Sequence, residues 1–487
     1  MITTLLWACS APPSSTDPLA QDTDVPSTVD DTGLQGDSSS PDDTEEPQDS
    51  EPVDTGLSFT KVPLFEMSGS AFIHPADLDG DGFEEYLLSA IMLELGWANG
   101  IGPGGSAVIS RDAGVPSGEL GDWTQEVVFD QGDDIYWPND PNLFDVNNDG
   151  IDDWVVGTGF LPLPDSYNGR LVYMEGYESS GSLAFMSPDF IDNPWTDLGH
   201  FYHKAYPHDF NGDGHLDFVT ASYRNADTDW LGNVTTPGEP YVEIFLNDGI
   251  ANTVSYSHHT IANVGGVYLA IHDIDADGDM DLFVPQFFGG DSLVWLENTG
   301  DPTSGWQEHL INNTTGKAFD VELADMNGDG RLDLLYGNHN HQLSSEPTEQ
   351  VMGVYWFEIP EADQVHSLSS WDAYQSTVVE GFYVDEWNSD QNGAPGVCHA
   401  GDVNQDGRMD VSVAGDGDDG MYVYLQQEDG SFSEVLIDSG TVMSGDHHMA
   451  DLDGDGDMDY IWAIYGELDL FSGDFGPQSA VNIYLQD

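Results

Sequence analysis

Short apolar runs recur along residues 57–487, each behind an acidic, glycine-containing stretch. They are Tyr86-Leu87-Leu88, Trp154-Val155-Val156, Phe218-Val219, Leu282-Phe283-Val284, Leu334-Leu335-Tyr336, Val411-Ser412-Val413 and Tyr460-Ile461-Trp462. Their length and their β-branched and aromatic make-up predict short buried strands. A second run follows at residues 241–246, 293–298, 354–357 and 422–425. Turn residues lie beside two of these, Asn247-Asp248-Gly249 and Glu428-Asp429-Gly430. A third run comes at residues 306–311 and 432–437. With the strand before each acidic stretch, the pattern predicts four strands per repeat.

The acidic stretch is fullest in Asp451-Leu452-Asp453-Gly454-Asp455-Gly456-Asp457-Met458-Asp459, with carboxylates at positions 1, 3, 5 and 9 and glycines at 4 and 6. Hard oxygen ligands at alternate positions around a glycine turn are what Ca²⁺ requires, as in the first half of an EF-hand loop. Position 7 adds a backbone carbonyl. Trp462 stands where an EF-hand places its twelfth-position Glu, so position 9 must take over that role.

The stretch occurs seven times, which predicts about seven bound Ca²⁺. Positions 1, 3, 5, 7 and 9 are Asp77, Asp79, Asp81, Phe83 and Glu85 in the first loop, and Asp145, Asn147, Asp149, Ile151 and Asp153 in the second. The third has Asp209, Asn211, Asp213, His215 and Asp217; the fourth has Asp273, Asp275, Asp277, Asp279 and Asp281. Next come Asp325, Asn327, Asp329, Arg331 and Asp333, then Asp402, Asn404, Asp406, Arg408 and Asp410. The last has Asp451, Asp453, Asp455, Asp457 and Asp459. All seven keep Gly at position 6, whereas Asn148, Ala276 and Gln405 replace it at position 4. Carboxylates crowded into one turn repel each other, so the ions are expected to stabilise the fold.

The last repeat runs one strand short, and Phe59-Thr60-Lys61-Val62-Pro63-Leu64, ahead of the first loop, supplies the missing piece. Ring closure by this segment removes two exposed sheet edges. Pro63 then belongs on the outermost strand.

Eight Lys+Arg against ninety Asp+Glu give a formal net charge of −82, which argues against nucleic acid and anionic membrane surfaces as partners. Positions 1, 3, 5 and 9 of the loops account for twenty-four of the acids. Residues 1–9 resemble a bacterial lipoprotein signal, with Cys9 as the lipidated residue after Leu6-Trp7-Ala8. Residues 10–56 are dominated by Ser, Thr, Pro, Asp and Glu and predict a disordered tether. A surface-anchored or secreted protein is expected, monomeric, touching the membrane only through Cys9. Cys398 is predicted to be a buried small hydrophobe.

The seven Asp-rich loops, each followed by an apolar strand, resemble the VCBS and FG-GAP repeats of bacterial surface proteins and of the integrin α-subunit propeller. The resemblance spans residues 57–487. It implies an all-β fold: a seven-bladed β-propeller of four-stranded antiparallel blades, closed by the N-terminal strand. Each ion would sit in the hairpin between the first and second strands of a blade.

His74, His399 and His448 stand three residues before their loops, and His208 and His272 one before. These odd offsets share a strand face, near the central channel or a blade seam. His203 and His447 fall on the other parity. The ring offers a transition-metal or acid–base site, or repeat-derived packing. No nucleophile motif or phosphate loop is visible. Two functions follow. One is an adhesion or ligand-binding module for a glycan or protein, supported by aromatic insertions at residues 195–203, 223–230 and 382–387. The other is a polysaccharide lyase or hydrolase using channel-facing histidines, since some lyases resemble this propeller. The scarcity of cations, among them Lys204, Arg224 and Lys317, opposes the second.

Overall fold

The computed structural model describes residues 56–91, 103–111, 115, 118–133, 135–159, 169–191, 200–224, 227–228, 234–288, 292–315, 317–338, 352–372, 375–382, 394–416, 420–439, 444–464 and 479–487. The signal-like residues with Cys9, the linker up to residue 55 and most of the aromatic insertions lie outside them. Residues 200–203, read as part of an insertion, instead belong to an innermost strand, His200–His208.

Seven four-stranded antiparallel sheets form the blades of a propeller. Their innermost strands are Ser70–Ala76, Pro138–Phe144, His200–His208, Ala270–His272, Ala318–Ala324, Ala394–Gly401 and Ser444–Ala450. Each acidic loop joins the innermost strand to the second one, as in Ser70–Ala76 and Glu85–Ala90. Blade two departs from the regular pattern. A hairpin, Gly176–Ser179 with Ser182–Phe185, leaves the sheet there, so the fourth strand shrinks to Asp189–Phe190.

The second strands read as apolar runs because both faces are covered. Leu334 and Tyr336 pack towards blade four, whereas Leu335 packs towards blade six. Seven apolar clusters fill the seven seams between successive blades, and the last joins Ile73, Tyr86 and Leu88 to Ile461, Val481 and Ile483. The ring is therefore closed.

Closure uses the predicted segment. Phe59–Glu66 pairs antiparallel with Ala480–Gln486 and is the outermost strand of blade seven. Pro63 stands opposite Asn482 on that edge, with a register shift just beyond it. The Asp487 N–H donates to the Ser58 carbonyl at 2.9 Å, and the Asp487 carboxylate accepts from Ser58 and Thr60.

Candidate functional site

The seven acidic loops share one internal geometry. Backbone φ is positive at position 4 in every loop, including Asn148 (59°), Ala276 (58°) and Gln405 (56°), and positive at every position-6 glycine. Only glycine adopts this region without a Cβ penalty, so Ala276 and Gln405 are held there against their preference. The position-5 carboxylate accepts from the position-7 N–H in all seven, at 2.8–3.1 Å. The position-1 carboxylate accepts from the position-6 N–H in six loops and from the position-4 N–H in loop seven. In loops one, four and seven, three carboxylates place an oxygen within 4.8 Å of one another.

Position 9 anchors the loop to the sheet. Its carboxylate accepts from the position-2 N–H in every loop, from 2.7 Å at Leu78 to 3.1 Å at Val403. In four loops the other oxygen accepts from the third strand, as from Asn298 to Asp281 at 2.8 Å, and in loop two it accepts from Gly176 at the start of the hairpin that leaves the sheet. Glu85, with its longer arm, makes the same position-2 bond as the aspartates. These carboxyls are buried, and desolvation pushes Asp153, Asp217 and Asp410 up to about 6. It pushes Glu85, Asp281, Asp333 and Asp459 up to about 7. Buried carboxylates that resist ionisation beside further carboxylates fit a hard divalent cation, which would neutralise them. Loops five and six differ: the Arg331 guanidinium lies 3.3 Å from Asp329, and Arg408 bonds Asp406.

A second constellation lies on the propeller axis. The innermost strands of neighbouring blades pack against one another at six of the seven seams. Six of them carry a bulge five or six residues before the loop. Bulges re-aim side chains. Five residues before position 1 stand Asp140, Lys204, Tyr268, Asp320 and Asp446, Tyr268 just ahead of its strand; three before it stand His74, Tyr206, Glu322, His399 and His448.

Lys204 of blade three donates to Asp140 of blade two at 3.0 Å; their side chains are 19% and 2% exposed. His399 of blade six donates from Nδ1 to Glu322 at 2.8 Å and from Nε2 to Asp446 at 3.0 Å. Donation from both nitrogens makes it an imidazolium. Burial opposes that charge, but hydrogen bonds to Asp446 and Glu322 outweigh it and hold the His399 pKa well above the usual value. Burial likewise opposes the Lys204 charge, and Asp140, Asp446 and Asp320 outweigh it. Burial drives His74 down to about 3 and keeps it neutral, with Lys204 adding to the effect. Desolvation pushes Asp320 up to about 7. His203 stacks edge-on against Tyr268 at 4.6 Å.

The five-histidine ring is only partly assembled. His74 and His399 reach the axis. His448 pairs instead with Glu84 at 2.9 Å. His208 and His272 stay at the strand ends, beside Asp209 and Asp273. His447, on the other parity, lies flat on Trp462 at 3.9 Å and bonds Ser412 at 2.6 Å. Cys398 is a buried free thiol. The residues not anticipated from sequence are Asp140, Tyr206, Tyr268, Asp320, Glu322 and Asp446. Their recurrence five or three residues before the loop was the available signal.

With this geometry in view, the class is clear: a seven-bladed β-propeller carrying FG-GAP-like repeats. The FG-GAP-like repeat family matches residues 209–284, 273–336 and 402–462. These segments contain loops three to seven; loops one and two lie outside them and keep the same backbone geometry. Among solved structures, the rhamnogalacturonan lyase PL11 of Bacillus licheniformis is similar at 12% identity and a TM-score of 0.43, over 88% of this chain and 75% of that one. No curated protein matches the chain.

Proposed function

We propose that this chain is a calcium-binding propeller serving as a ligand-binding module, surface-anchored through Cys9 or secreted, with a glycan or a protein as ligand. The observation that carries the calcium reading is the buried position-9 carboxylate, repeated in seven loops with one hydrogen-bond pattern. Calcium at these hairpins would hold the blade ends, and the blade ends would present the ligand surface. A glycan and protein array probed with the full chain, in calcium and in chelator, tests this. Calcium-dependent capture of one ligand class is expected. Identical capture in chelator would count against it.

The axis favours a second reading, a lyase or hydrolase acting on an acidic polysaccharide. Lys204 and His399 place two of the chain's few positive charges beside tyrosines and a neutral His74, where a uronate carboxylate could be neutralised. Lys204→Met and His399→Gln should abolish turnover of a uronate polymer while the calcium-loaded melting curve stays cooperative. Absence of turnover in the parent chain leaves the binding module.

A further inference from the structure

Away from the loops and the axis, one cluster among the described residues combines two imidazoles with a carboxylate. Glu297 lies in Leu293–Asn298, the third strand of blade four, and His309 in Trp306–Asn312, its fourth. His366 comes from the segment that joins Met352–Phe357 to Gln375–Phe382 in blade five. The helix Leu368–Asp372 of that segment packs back onto the fourth strand of blade four.

His309 Nε2 is 2.6 Å from Glu297 Oε2, and His366 Nε2 is 3.3 Å from the same oxygen. The three side chains place one ligand atom each within 4.8 Å of one another. We infer that Glu297, His309 and His366 form a transition-metal site of the Zn²⁺ class at the seam between blades four and five, distinct from the acidic loops.

Donor chemistry separates the two kinds of site. Ca²⁺ takes oxygen ligands, whereas two imidazoles and a carboxylate suit Zn²⁺, Ni²⁺ or Co²⁺. Tetrahedral Zn²⁺ with bonds near 2.0–2.1 Å sets adjacent ligand atoms about 3.3 Å apart. The His366–Glu297 spacing already matches this, and the His309–Glu297 contact needs to open by less than 1 Å. Three protein ligands leave a fourth position open. His366 is 47% exposed, so that position faces solvent and can take water or a ligand donor.

The supporting residues fix the rings before any ion arrives. His309 stacks on the buried Trp295 at 4.5 Å and 24°, and His366 meets the same ring at 5.3 Å. Trp371 is fully buried and donates to the Val365 carbonyl at 2.7 Å, which pins the backbone beside His366. Glu297 precedes Asn298, whose N–H holds Asp281 of the fourth loop. A metal here would tie the blade-five segment to blade four.

The test is a Zn²⁺ titration of the full chain in excess Ca²⁺, followed by calorimetry, with Co²⁺ as a spectroscopic substitute. One zinc of higher affinity than the acidic loops provide is expected, with visible Co²⁺ absorption of low-coordinate character. His366→Ala should weaken that zinc by roughly a hundredfold or more. Because His366 is half-exposed, the melting temperature of this variant in Ca²⁺ without zinc should equal that of the parent, so a lost signal is not a lost fold. Equal zinc affinity and stoichiometry in parent and His366→Ala would overturn the site. So would zinc uptake by the parent no greater than that of the His309→Ala/His366→Ala pair.

Discussion

At the residue scale, the loops are governed by backbone conformation and by buried charge. Ala276 occupies a left-handed position that glycine fills in four of the seven loops. Ala276→Gly should therefore raise stability by about 1 kcal/mol, read from a denaturant midpoint. The reverse change at Gly278 (φ 101°) should lower it by about 1 kcal/mol or more, although a Cβ there would meet no atom within 4 Å. A midpoint unmoved by both would show that these dihedrals carry no penalty.

The position-9 carboxyls set a pH dependence. In the metal-free folded chain they keep their protons to about 6 or about 7. In the unfolded chain they release them near pH 4. The folded state binds more protons across that window, so metal-free stability falls as pH rises from about 4 to about 7. Saturating calcium should remove or reverse the trend, because the ion competes with the proton for the same oxygens. Melting curves in chelator and in calcium, at both ends of the window, check this. A metal-free melting temperature that climbs with pH would contradict the burial argument.

At the element scale, the strand Phe59–Glu66 decides whether seven sheets make a ring. It brings the half-buried Val62, Leu64 and Phe65 to the seam between blades seven and one. Deleting it should cost on the order of 5 kcal/mol, from lost apolar burial and ladder hydrogen bonds. It should also leave the edge of Ala480–Gln486 open to self-association. Equilibrium unfolding and sedimentation of the deletion variant measure both effects.

The same scale explains what the sequence could and could not reveal. The loops were legible because all their residues lie within nine positions, and glycine and carboxylate spacing survives insertions elsewhere. The closing strand was legible because the last repeat runs one strand short and the run Phe59-Thr60-Lys61-Val62-Pro63-Leu64 ahead of the first loop supplies it, with Pro63 fitting the edge. The axial cluster was hidden twice. Its members fall at two offsets, five and three before the loop, with residue types mixed at each, and the bulges at His203-Lys204 and Gly445-Asp446 break strict alternation. His208 and His272 kept the expected parity but lie two residues further along, about 6.6 Å from the offset that meets the axis. Glu297, His309 and His366 were out of reach of any local pattern, since only blade packing brings them together.

At the scale of the whole molecule, the chain carries a formal charge of −82, and twenty-four of its ninety acids are gathered at positions 1, 3, 5 and 9 of the seven loops. Compaction against such self-repulsion requires either protons or cations at the loops. The fold answers with seven like positions whose deepest carboxylate is tied to the loop backbone in all seven and to a further backbone N–H in five. Divalent cations bound there would stabilise the native ring by mass action, with no matching sites in the unfolded chain.

The most direct measurement is a calcium titration of the metal-stripped chain at neutral pH, with bound metal counted by mass spectrometry and unfolding followed in parallel. About seven Ca²⁺ per chain are expected, with a melting temperature that rises steeply with their uptake. Fewer than half that number bound, or a melting temperature that stays level from chelator to saturating calcium, would contradict this.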